Sequence, residues 1–227
     1  PRVTTRSNFD RQLEALHLDL VQMGGMVQKA IEEGIRALME RDGDLADRVV
    51  AGDKAIDDME QQIERTCLRL LMHQQPVARD FRSVFAALKM ITDLERIADQ
   101  AADIANLSHR FTGQKLIGMV GHVPAMERVA REMVESSISA FVRQDLAAAQ
   151  DTIRRDDEMD ALFGRVKDEL IELLRSGAAG EAADQAIDVL MVAKYLERIG
   201  DHAVNVCEWV EYLVTGVHQS EELNEER

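Results

Sequence analysis

Glu95, Asp99 and Asp103 follow one another at intervals of four residues. On a helix that spacing sets three carboxylates along one face. Glu197, Asp201 and Asn205 repeat the pattern 102 residues later, the first two of each ridge lying inside a duplicated Leu-Glu-Arg-Ile-x-Asp at residues 94–99 and 196–201. All six side chains offer oxygen ligands. Like charges four residues apart cost an isolated helix a few tenths of a kcal/mol per pair, so each ridge asks for a compensating partner. A hard cation would serve, and so would an arginine. Arg96 and Arg198 stand three residues before Asp99 and Asp201 and three after Asp93 and Tyr195, so salt bridges along a solvated face are the rival explanation. The duplication shifts the balance, because both copies sit beside apolar neighbours, Leu94 and Ile97 in one and Leu196 and Ile199 in the other. A shared role in metal coordination is the sharper expectation.

A second set of acids repeats in step. Asp156 and Asp160 stand 103 residues after Asp53 and Asp57, again at i and i+4, and could close a coordination shell across the bundle; a solvated helix face explains them as well. Carboxylate and amide oxygens suit Mg, Mn, Ca or ferric iron, and His202, beside Asp201, could add the nitrogen that Zn, Ni or ferrous iron accepts. The element is therefore open among Fe, Zn, Ni, Mn and Mg. Asp93 falls out of the ligand set because Tyr195 occupies its place in the second copy.

An enzyme built on such ridges, a metal-dependent hydrolase or a carboxylate-bridged oxidase, is the alternative from another class. Di-metal oxidases on helical bundles use paired Glu-x-x-His motifs. Here Glu14 to His17 is the single instance, while Ala98 and Gly200 stand three residues after Glu95 and Glu197. No Ser-His-Asp or Cys-His arrangement stands out. A non-enzymatic role is expected.

The ridges need helices to carry them. Residues 9–40 place Leu13, Leu16, Leu20, Met23, Val27, Ile31, Ile35 and Leu38 near a 3.6-residue period, which predicts one long amphipathic helix. Gly24 and Gly25 interrupt it; they mark a bend or a close helix contact, or are simply tolerated. A turn at residues 41–44 leads to a second helix over 45–73, Gln75-Pro76 punctuates, and a third helix runs over 77–111. The order then repeats over 125–143, 146–175 and 181–214. Long helices with short connections predict antiparallel neighbours, so the expectation is all-α: two tandem three-helix bundles, residues 1–113 and 114–217, related by approximate twofold symmetry. Residues 218–227 read as a disordered acidic tail.

Composition agrees. Of 227 residues only 3 are proline and 4% are aromatic, which suits helices and disfavours sheets. The net charge of −15 argues against a nucleic-acid partner and favours small cations or basic protein surfaces. Cys67 and Cys207 lie in apolar helical contexts without a C-x-x-C spacing and read as reduced core residues. No signal peptide and no apolar run of about 20 residues is evident, so a cytoplasmic protein is expected.

The duplicated Leu-Glu-Arg-Ile-x-Asp, the Gln-Met-Gly-Gly-Met-Val of residues 22–27, the Ala-Gly-Asp-Lys of 51–54 and the Arg69 to Arg82 segment with its Gln-Pro pair resemble the PhoU family over nearly the whole chain. The resemblance implies a phosphate-signalling regulator, accessory to the phosphate-specific ABC transporter, that holds the starvation response off when phosphate is plentiful. It implies as partners a membrane sensor histidine kinase and the transporter's ATPase subunit. It also implies metal ions, multinuclear iron included, on the Glu-x-x-x-Asp ridges, here Glu95, Asp99 and Asp103 with Glu197 and Asp201. It leaves room for a homodimer. Two departures from internal symmetry, Asn205 opposite Asp103 and His202 opposite Gln100, predict that the two sites differ.

Overall fold

A computed structural model of the chain describes residues 2–74, 76–111, 121–177 and 180–218. Its elements are α1 (Arg2–Glu40), α2 (Gly43–Gln74), α3 (Ala78–Ser108), a 3₁₀ turn at His109–Phe111, α4 (Val123–Arg143), α5 (Leu146–Arg154), α6 (Asp156–Arg175) and α7 (Glu181–Thr215). No strand occurs among the described residues. The fold is all-α and follows the expected order of two three-helix repeats. The acidic segment after His218 and the link around Thr112 and Gly113 lie outside the described residues.

The repeat is visible even in the turns. Arg41 (φ 58°) ends α1 in the left-handed region, and Asp42 caps α2 by accepting from the Leu45 amide at 2.9 Å. In the second unit Gln144 (φ 55°) ends α4, and Asp145 accepts from the Ala148 amide at 3.0 Å. A non-glycine residue in that region costs roughly 1–2 kcal/mol, and the Asp cap returns about 1. The two residues that reverse the chain are thus a matched pair.

One interruption departs from the expected single helix over 146–175. At Arg155 the amide is shared between the carbonyls of Asp151 (3.2 Å) and Thr152 (3.1 Å), and the Thr152 hydroxyl donates back to Ala148 O at 2.8 Å. Sharing of this kind tightens a turn toward 3₁₀ geometry, and the threonine bond bends the helix. Asp156 therefore opens a new segment, α6, rather than riding inside a straight helix. At the other end α1 starts at Arg2, ahead of the expected residue 9, because the polar residues before Phe9 carry no periodic apolar signal.

The two repeats share one apolar core. It runs without a break from Leu16, Leu20 and Met23 of α1 through Leu94 and Ile97 of α3 to Val134 of α4 and Leu196 and Ile199 of α7. Helices α3 and α7 pack along each other most extensively and form its spine. Leu94, Ile97, Leu196 and Ile199 are fully buried, and each contributes about 1.5–3 kcal/mol by leaving water. Those residues fix the rotation of α3 and α7 and so decide where the acids between them point.

Glycines set two close approaches. A Cβ at Gly24 would lie 2.1 Å from Ile138 Cδ1 of α4, and one at Gly34 would lie 3.0 Å from the Ala101 carbonyl oxygen of α3. Gly25 meets open space. Close contact holds for Gly24 and simple tolerance for Gly25, and α1 continues through both. Cys67 and Cys207 are buried and unpaired, and burial pushes both thiols up to about 12, as expected of inert core cysteines.

Candidate metal centres: two acidic ridges

In the first repeat α2 and α3 face each other with their acids. Asp53 feels Asp57 of its own helix and Asp99 and Asp103 of α3, while Glu95 feels Asp99, Glu60 and Asp57. In the second repeat Asp156 feels Asp160, Asp201 and Glu197, and Asp201 feels Glu197 and Asp160. The structure thus brings together across each helix pair the acids that the sequence aligned by number.

The most telling atoms are one oxygen in each repeat. Asp53 Oδ1 and Asp156 Oδ1 are both buried and lack a hydrogen-bond partner. Burial first and neighbouring carboxylates second push each of these groups from an ordinary 3.8 up to about 6. Glu95, Asp103 and Asp201 are also raised, by burial and then by neighbouring acids. Orphaned carboxylate oxygens are rare in folded proteins because each costs about 1–3 kcal/mol. Repeat-related positions carry the same defect.

Gly200 shapes the second centre. A Cβ there would lie 3.0 Å from Asp156 Oδ1, so the Asp156 carboxylate rests against bare backbone of α7. Its counterpart on α3 is Ala98, buried like Gly200. The cradle therefore exists because glycine replaces alanine in the second copy of the motif.

Orphaned oxygens and mutually repelling carboxylates fit a bound cation at both centres, and the second adds the cradle at Gly200. Among the described residues no three His, Cys, Asp or Glu side chains form a ready-made metal cage. The ridges present donors, and side-chain rotation would be needed to gather them.

Arginine accounts for part of the first ridge. Arg96 lies 3.6 Å from Glu95 and 3.4 Å from Asp99, but its side chain is 58% exposed, and pairs of that kind contribute about 0–1 kcal/mol. Arg198 does not mirror this; it acts on Asp103 across the α3–α7 pair.

Two expected ligands of the second site are anchored on α3 through their nitrogens. His202 Nδ1 donates to Asp93 Oδ1 at 2.9 Å, and Asn205 Nδ2 donates to the same oxygen at 3.0 Å. Asp93, set aside because Tyr195 occupies its repeat position, is the acceptor that ties α7 to α3. Side chains facing the other repeat need not obey the repeat, so its symmetry gave no warning.

Sequence reasoning also missed Glu60 and Lys194. Glu60 extends Asp53 and Asp57 by i+7, a stripe that periodicity alone could have found. Lys194 Nζ donates to Glu197 Oε2 and lies 5.4 Å from the Phe163 ring centroid. A lysine three residues before each ridge glutamate would have been the signal, but the first copy has Thr92 there.

Comparison with known proteins places this arrangement. A PhoU domain profile matches twice, over residues 20–108 and 123–210, in register with the two helical repeats. A phosphate-specific transport system accessory protein PhoU homolog of Clostridium acetobutylicum is 39% identical over 93% of this chain and 96% of its own length. The crystal structure of PhoU from Pseudomonas aeruginosa superposes with a TM-score of 0.85 at 31% identity, covering 92% of this chain and all (100%) of that one. That of the phosphate transport system regulatory protein PhoU from Streptococcus pneumoniae gives 0.86 at 26% identity, with 92% and 98% covered. Two profile copies laid over two bundles, with relatives matching nearly end to end, make this chain a member of the PhoU family.

Proposed function

We propose that the protein is a regulator of phosphate uptake and of the phosphate-starvation response, accessory to a phosphate-specific transporter. It acts by binding proteins, without turnover. The partners in this reading are the transporter's ATPase subunit and a membrane sensor histidine kinase, and the outcome is repression when phosphate is sufficient. End-to-end similarity to a phosphate-specific transport system accessory protein supports the transporter part. No helix among the described residues is long and apolar enough to cross a membrane, so the reading has the chain meet these partners through protein contacts.

Metal belongs to the same reading. Asp53, Asp57, Glu95, Asp99 and Asp103 would hold it in the first repeat, and Asp156, Asp160, Glu197 and Asp201 in the second. The observation that carries this is the pair of orphaned oxygens on Asp53 and Asp156. A cation would supply charge compensation there and draw the two helices of each pair together. Carboxylate oxygens make up most of the donor set, which suits magnesium, manganese or ferric iron, while His202, anchored on Asp93 through Nδ1, keeps Nε2 for the second site.

Purification without chelator, with elemental analysis, tests the metal part; capture of the ATPase subunit and the kinase from membranes tests the partner part. Bound ions that vanish in Asp53→Asn/Asp156→Asn and capture of both partners are expected. Metal no higher than in buffer would remove the first part, and capture of neither partner the second.

A further inference from the structure

We propose that the two ridges take up cations unequally: the α2–α3 ridge binds tightly and first, whereas the α6–α7 ridge is held by Lys194 as a resident counter-ion that a metal must displace. The inference rests on the metal reading above and goes beyond it by assigning an order of filling and the residue that sets it.

The two centres share Asp53/Asp156, Asp57/Asp160, Glu95/Glu197 and Asp99/Asp201. They differ in what surrounds these four positions. The first adds Glu60 and Asp103, both in its electrostatic field. In the second, Phe163 stands where Glu60 would be, 103 residues on, and Lys194 stands where Thr92 would be, 102 residues on. Asn205 replaces Asp103 and turns to Asp93.

Those two exchanges work as a unit. The Phe163 ring lies 5.4 Å from Lys194 Nζ, close enough for a cation–π contact, and the same ammonium donates to Glu197. Lys194 is 38% exposed and Glu197 15%, so the pair is less screened than Arg96 at 58%. An incoming cation at the first ridge meets more carboxylates, the loose, solvated Arg96, and Arg198 acting on Asp103 from α7. At the second it meets fewer carboxylates, one already neutralised, and must break that bond before Glu197 can serve as a ligand. Asp157, standing where the first repeat has Lys54, adds one carboxylate to the second ridge, but the loss of Glu60 and Asp103 and the ammonium of Lys194 outweigh it.

The experiment is a manganese(II) titration of chelator-stripped protein, following the free ion by its EPR signal. Asp156→Asn isolates the first site and Asp53→Asn the second. Binding at least about tenfold tighter in Asp156→Asn than in Asp53→Asn is expected. Adding Lys194→Met to Asp53→Asn should tighten its step about tenfold, and adding Thr92→Lys to Asp156→Asn should weaken its step. Lys194→Gln repeats the charge removal with a polar side chain, and melting curves confirm that each variant is folded. Equal affinities in the two single-site variants, or a second site indifferent to Lys194→Met and Lys194→Gln, would overturn the proposal while leaving the metal reading intact. No manganese binding in the unsubstituted protein would overturn both.

Discussion

Asp93 Oδ1 and His202 Nδ1 meet at 2.9 Å across the α3–α7 spine, where Asn205 also reaches the same oxygen. Both side chains of the pair are largely withdrawn from solvent, Asp93 more so than His202. Removing the acceptor strands two donors at once. Replacing Asp93 by Ala should therefore destabilise the fold by about 1–3 kcal/mol, read from urea unfolding at unchanged m-value. A double-mutant cycle with His202→Ala should return an interaction energy of about 0.5 kcal/mol or more. Additive effects would mean that the contact contributes nothing of its own.

Glycines on α1 should respond oppositely to one methyl group. Gly25 meets open space, so Gly25→Ala removes backbone entropy and should stabilise by about 0.5–1 kcal/mol. At Gly34 the new Cβ would press at 3.0 Å on the backbone carbonyl of Ala101, which cannot swing away as a side chain can. Gly34→Ala should cost about 1–2 kcal/mol despite alanine's better helix propensity. Thermal melts of the two variants check both signs. A stabilised Gly34→Ala would show that α1 and α3 are less tightly seated.

Much of this was legible in the sequence because it follows from local periodicity. Apolar spacing gave the helices, the paired motifs gave the two units, and Asp53 to Asp99 could be set opposite one another before any coordinates. What escaped was relational. The tie from Asp93 to His202 and Asn205 joins the two repeats, so a comparison of one repeat with the other could not reveal it. Lys194 and Phe163 are each ordinary on a helix, and only their packing makes them a counter-ion for Glu197. The break at Arg155 arises from a shared amide bond and a threonine back-bond, neither of which leaves a glycine or proline to read.

The orphaned acids predict an inverted pH dependence for the metal-free protein. Asp53 and Asp156 titrate at about 6 when folded and at an ordinary 3.8 when unfolded. Below the lower value both states hold the protons, and these groups favour neither. Between the two the unfolded chain releases its protons first, and above about 6 the folded state carries the whole penalty. In chelator, the melting temperature should fall between pH 4 and pH 6.5 through these groups, the reverse of a salt-bridged carboxylate. Asp53→Asn and Asp156→Asn should each raise it at pH 7 and flatten the slope. A melting temperature lowered by both variants would show that the two oxygens are satisfied rather than stranded.

Manganese should turn that slope around. A cation at the ridges neutralises the repulsion that raises these carboxylates, and it competes with the same protons, so its apparent affinity grows as pH rises through about 6. Stabilisation by a ligand scales as RT ln(1 + [L]/Kd) and reaches about 2.7 kcal/mol at a hundredfold excess over Kd. Melting curves in saturating manganese should thus rise with pH over the window in which the chelated protein's fall, and the two should diverge most above pH 6.5. Asp53→Asn/Asp156→Asn should abolish the divergence by gaining metal-free stability and losing the response to manganese. Parallel curves with and without the ion would place the stabilisation elsewhere on this acidic surface.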